Sequence, residues 1–171
     1  MTSVMLLEAL RRRTEDTIRE LYLPVKPTKG EPAPDIRVPS VYIARLPDEK
    51  ASTKYAPYVL HTVINTSYRQ EEGSFPLLGL ANVRTLYCVY SPDEQEGGLH
   101  LLNLMERIRI DLQAFPVLEK QFKLDYADGI EQLVYPDDTA PFYLGEMMTT
   151  WKMPPVQREE VSVWERKPNL T

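Results

Sequence analysis

Cysteine and histidine are almost missing from this chain: Cys88 is the single thiol, and His61 and His100 are the only imidazoles in 171 residues. One cysteine forms no internal disulfide, so a reducing compartment is compatible. Neither histidine has a second one three or four residues away, so the spacing of a zinc site is lacking. No serine sits in a Gly-x-Ser-x-Gly elbow, and Gly97-Gly98 is not followed by the Lys-Ser/Thr of a phosphate loop. No apolar run approaches the length of a membrane span. Val4-Met5-Leu6-Leu7 is followed rather than preceded by arginines, which is the wrong order for a secretory signal. The expectation is a soluble protein made in the cytoplasm, with no membrane partner. Positive charge is also short, with 20 Lys and Arg against 25 Asp and Glu and a net charge of −5. That balance argues against wrapping nucleic acid, because phosphate neutralisation needs a basic face. It is compatible with a surface that DNA slides past.

What the chain does have is strand. Seven glycines stand against 15 prolines, which gather between Pro24 and Pro39 and at Pro154-Pro155. Residues 22–39 therefore read as an extended Pro-rich arm on a single α+β domain covering 1–171. Before the arm, Ser3 to Leu21 predicts a helix, with Ser3 as its cap and an apolar stripe through Leu7, Leu10, Thr14, Ile18 and Leu21. Arg11-Arg12-Arg13 on that helix reads as a solvated face balanced by acids. After the arm come strands at 40–46, 57–65 and 81–90, separated by a polar loop at 50–56 and a turn at Glu71-Glu72-Gly73-Ser74. A second helix is predicted from Ser91-Pro92-Asp93-Glu94 to about Ala114, with Pro92 in its first turn and Leu101, Leu104, Met105, Ile108 and Leu112 as one stripe. Phe122–Tyr126 and Ile130–Tyr135 read as two short strands joined through a hairpin turn at Asp128-Gly129. A long strand runs from Phe142 to Met153, and Val161–Trp164 suggests a last short one. The expected fold is α+β, a mixed, mainly antiparallel sheet with two helices packed mainly on one face.

Nothing in this pattern assembles a reaction. Cys88 reads as a buried strand cysteine, and His100 as a helix-surface residue. The acidic pairs Glu71-Glu72, Asp93-Glu94, Asp137-Asp138 and Glu159-Glu160 fall in turns or helix entries, where acids bond locally. No catalytic residue, metal ligand or cofactor is expected. On the long strand, Tyr143, Met147, Trp151 and Met153 share one face, and Phe142, Leu144 and Met148 begin the other, followed by Glu146, Thr150 and Lys152. A strand this apolar needs cover on both sides, from its own helices or from another subunit.

Three segments carry a family resemblance. They are Val83–Tyr90 with the acidic turn Asp93-Glu94, the helix Leu101–Arg109, and Asp137-Asp138-Thr139-Ala140-Pro141-Phe142-Tyr143-Leu144-Gly145-Glu146 leading into Thr150-Trp151-Lys152-Met153-Pro154. Over roughly residues 40–160 the chain resembles the tail terminator, or tail completion, proteins of long-tailed phages and prophages of Gram-positive bacteria. The likeness lies in structural residues, and the arm at 24–39 and the loop at 47–56 are longer than the family pattern.

The resemblance implies a virion protein at the head–tail interface, present in the host cytoplasm during assembly. It would form a homo-oligomeric ring, typically of six, on the last ring of the tail tube. Its partners would be the tail tube protein and the head-completion or connector protein, with DNA passing through the channel without specific binding. Candidate subunit contacts are Phe142, Leu144, Met148 and Trp151 on the long strand and Pro32 and Pro34 in the arm. Candidate channel-lining acids are Glu71, Glu72, Asp137 and Asp138. Three other readings compete. A head-completion or stopper protein would carry less helix, and a tail-tube subunit would polymerise without limit. A small-molecule-binding or enzymatic α+β domain would gather His61 or Cys88 with carboxylates in a deep pocket.

Overall fold

A computed structural model describes residues 2–30, 35–70, 77–136 and 139–156. The fold is α+β: a mixed, mostly antiparallel sheet carries two long helices on one face. Helix α1 spans Ser3–Ile18, and its cap is Thr2 rather than Ser3, accepting from the Met5 amide at 3.4 Å. Leu6, Leu10 and Ile18 point into the core, and Thr14 occupies the same stripe. Helix α2 spans Glu94–Ala114 and is capped by Asp93, so Pro92 lies before the helix instead of in its first turn. The Asp93 carboxylate accepts from the amides of Gln95 and Glu96 at 2.8 and 3.3 Å, occupying donors that the first helical turn leaves free. Leu101, Leu104, Met105, Ile108 and Leu112 form the buried stripe. The two helices are tied by Arg13, which grips both oxygens of Asp111 at 2.6 Å and stacks over Phe115. Arg12 stays exposed and pairs with Glu8 and Glu119 at the surface, so of the three consecutive arginines Arg13 is the one that ties the helices.

The arm is not simply extended. It folds back as a two-stranded ribbon of β1 (Leu23–Pro24) and β2 (Ile36–Arg37). The main sheet contains β3 (Ser40–Ile43), β4 (Tyr58–Arg69), β5 (Leu78–Tyr90), β6 (Val117–Leu118), β7 (Phe122–Asp125), β8 (Glu131–Val134) and β9 (Phe142–Met153), in the order β3-β4-β5-β9-β7-β6 with β8 also on β9. β3 stops at Ile43 because Ala44 takes a left-handed conformation, φ 64°. β3 and β4 are parallel, and a parallel pair needs a long crossover. Residues 44–57 supply it, and the expected loop there holds a 3-10 helix, Glu49–Tyr55. Leu46, Tyr55 and Ala56 of this crossover cover part of the sheet face opposite the helices.

The expected hairpin between Phe122–Tyr126 and Ile130–Tyr135 does not form. β7 pairs with Lys152–Thr150 of β9, and β8 pairs with Met148–Gly145, so the two lie end to end on one edge of β9. Gly129 does take a positive φ of 73° and donates to the Tyr126 carbonyl, but the turn only offsets the chain before it rejoins the same edge. The short strand read at Val161–Trp164 lies outside the described residues.

Candidate interface surfaces

The face of the sheet beneath the helices is closed. Val59, Val83, Tyr87, Val89, Met147 and Trp151 meet α1 and α2 there in one apolar cluster. Gly97 lets α2 approach β9 closely, since a Cβ at that position would overlap the Tyr143 ring. Trp151 has no exposed surface, lies opposite the small Ala81 in the β5–β9 register, and donates its indole N–H to Thr149 at 3.0 Å. It therefore presents nothing to a neighbouring subunit. Its assignment as a subunit contact is corrected: alternation puts Trp151 with Met147 on the helix-covered side.

His61 is buried on this face. Its two ring nitrogens lie 2.8 Å from the hydroxyls of Thr14 on α1 and Thr85 on β5. Burial lowers its pKa from 6.5 to about 4, so the ring is neutral at physiological pH. The sequence held a clue to this contact, because Thr14 is a polar residue on an otherwise apolar helix stripe. Cys88 is buried on the opposite face beside Tyr58, and burial pushes its thiol up to about 12. A thiol so protonated is a poor nucleophile. Among the described residues, no three His, Cys, Asp or Glu side chains converge as metal ligands would.

The second face divides into two halves. One half is apolar and covered: Tyr42, Leu46, Tyr55, Tyr58, Leu60, Leu86, Tyr90, Phe142 and Leu144 pack together beneath the crossover. Lys26 of the arm sits over the Phe142 ring, 5.4 Å from its centre. Phe142 and Leu144 are thus on one face, as expected, and largely occupied by contacts within the chain.

The other half is polar and lies open except at Thr150, which is buried beside Asp128. Asn65, Asn82, Thr150 and Asp125 stand side by side across β4, β5, β9 and β7. Asn82 donates to Asn65 at 2.6 Å and Thr150 to Asn82 at 2.7 Å. Two cations on this half, Arg84 and Lys152, are neutralised locally, while Lys123 beside Lys152 and Arg69 at the end of β4 are exposed. Arg84 donates to Glu146 at 2.6 Å and to the Tyr135 hydroxyl at 2.7 Å, and Tyr135 donates to Glu146 at 2.9 Å. Partial burial opposes ionisation of Glu146, but the bonds from Tyr135 and Arg84 outweigh it and hold the carboxyl below its ordinary range. Lys152 lies 3.6 Å from Asp125. Met148 stands among these groups, lining a hollow of about 430 Å3 together with Glu131, Gln132, Leu133 and Glu146.

Pro32, Pro34, Glu71, Glu72, Asp137 and Asp138 lie outside the described residues. The structure thus gathers Phe142, Leu144 and Met148 on one face and separates Trp151 from them. No protein-family model and no curated protein matches this sequence.

Proposed function

We propose that this chain is a structural virion protein that caps a phage tail tube as a ring, ends tube growth and docks the tail to the head. The observation that carries the reading is the asymmetry of the sheet. One face is sealed by two helices, and half of the other is a polar wall on which Arg84 and Lys152 are each held by a carboxylate, while Lys123 and Arg69 at its margin are exposed. Paired cations grip phosphate weakly, because releasing counterions from DNA requires charge that is free to neutralise it. With the helices outward and this half inward, the two paired cations and the net charge of −5 would let DNA pass without a continuous basic surface to hold it. The resemblance of residues 40–160 to tail terminator proteins supports the same role, with the tail tube protein and a head-completion protein as neighbours.

A cap must be finite. Identical subunits joined head to tail either close into a ring or grow without limit. The purified chain is expected to give one discrete closed species, for six copies of a 19.8 kDa chain about 119 kDa by mass photometry. Filaments of unbounded length would favour the tail-tube reading, and monomers at every concentration would reject the ring.

A further inference from the structure

Besides the short end strands β3 and β6, two stretches of strand have a neighbour on one side only among the described residues, and they lie at opposite edges. β3 covers β4 only from Tyr58 to His61, so among the described residues β4 beyond Thr62 is paired on its β5 side alone. There Ile64, at the β-bulge, is 52% exposed and Tyr68 is 57% exposed. β8 is paired on its β9 side alone, with Leu133 53% and Val134 42% exposed. Open apolar edges of this kind are templates for pairing with another chain.

We propose that the β4 edge beyond Thr62 pairs with β8 of a second copy of this chain, joining the two sheets into one. The inference rests on the ring reading and names its joint. Three features make the two edges fit each other. First, β4, β5, β9 and β8 alternate in direction, so β4 and β8 of one subunit run oppositely. A rotation about an axis along the sheet preserves strand direction, which makes the new pair antiparallel, the more stable kind.

Second, the stagger agrees. Glu131 of β8 is level with Thr62 through Met148 and Arg84, so the free part of β4 begins where β8 ends. Bringing their centres together needs a shift of roughly five residues, about 16 Å. Four strand spacings of about 4.8 Å, tilted by about 35–45° as in closed barrels, supply a shift of about 13–19 Å per subunit. Third, the hollow of about 430 Å3 lined by Glu131, Gln132, Leu133, Glu146 and Met148 runs beside β8 on the face that Asn65 and Ser67 of the free β4 edge share, and gives their side chains a place to seat.

The test uses the heterologous nature of the joint. Variant one carries Ile64→Lys and Tyr68→Lys, and variant two carries Leu133→Lys and Val134→Lys. All four positions are exposed, and circular dichroism and melting curves establish that each variant folds. Each alone is expected to be monomeric, with association weakened at least about tenfold per blocked joint. Mixed, they retain one intact joint, because variant one still offers β8 and variant two still offers β4. The expected product is a heterodimer of two 19.8 kDa chains that grows no further.

Full-size rings from either variant would overturn the edge pairing while leaving the ring reading standing, and so would monomers in the mixture. If the unsubstituted chain is itself monomeric, both fail together. A second measurement does not depend on these lysines. Full-length chains carrying Thr66→Cys and Gln132→Cys are mixed and treated with a short bismaleimide, and cross-links between the two chains are expected. A cross-link from Thr66→Cys to Ser162→Cys within one chain would show that the chain's own C-terminal segment fills the β4 edge, and would overturn the proposal.

Discussion

Between pH 6.5 and about 4, His61 alone is expected to remove about 3 kcal/mol of folding stability. Above pH 6.5 the ring is neutral in both the folded and the unfolded chain, and the group contributes no pH dependence. As pH falls below 6.5 the unfolded chain takes up a proton that the folded chain refuses, because the ring is wholly buried between α1 and β5. Stability therefore falls with pH across this window and levels off once the folded ring is protonated as well. Against a typical total of about 5–15 kcal/mol this is a large fraction. Urea midpoints on either side of the window measure it. His61→Gln is expected to flatten the dependence there, and an unchanged slope in that variant would assign the effect to other groups.

Trp151→Ala is expected to cost about 3–5 kcal/mol, the range for truncating a large buried aromatic. The side chain fills the space above Ala81 and Leu124 and makes its hydrogen bond to Thr149 without exposing any surface. Removing it leaves a cavity between sheet and helices and an unpaired Thr149 hydroxyl. Met148→Ala, one hundred and eighty degrees around the same strand, is expected to alter folding stability much less, because Met148 is only partly covered and faces the open half of the sheet. Its effect should appear in subunit association. Equilibrium unfolding of the two variants, set beside their particle masses, separates core from contact. Equal losses of folding stability would contradict the assignment of the two faces.

The helices and long strands were legible because their side chains repeat with clear periods. Leu101, Leu104, Met105, Ile108 and Leu112 mark one stripe of α2, and alternation along Phe142–Met153 separates the two faces of β9 correctly. What alternation does not say is which face another subunit covers. Trp151 was misplaced for that reason, although Ala81, a small residue in the facing strand, left room for it.

Pairing was harder to read than strands. Asp128-Gly129 has the chemistry of a hairpin turn and does bend the chain, yet β7 and β8 both find their partner in β9. Turn chemistry is local, whereas the choice of partner depends on residues of a later strand, at the nearest Gly145 opposite Val134. The parallel β3–β4 pair and the Thr14–His61–Thr85 contact were hidden by the same distance in sequence. For the open face, the polar positions Glu146, Thr150 and Lys152 were visible, but their neutralising partners Arg84 and Asp125 come from other strands.

The central proposal, that the chain acts by capping a tail tube, is tested most directly by imaging the particles assembled without it. With its gene deleted, electron microscopy is predicted to show tails of uncontrolled length and DNA-filled heads with no tail attached, both restored when the gene is supplied in trans. Normal virions in the deletion would contradict the account.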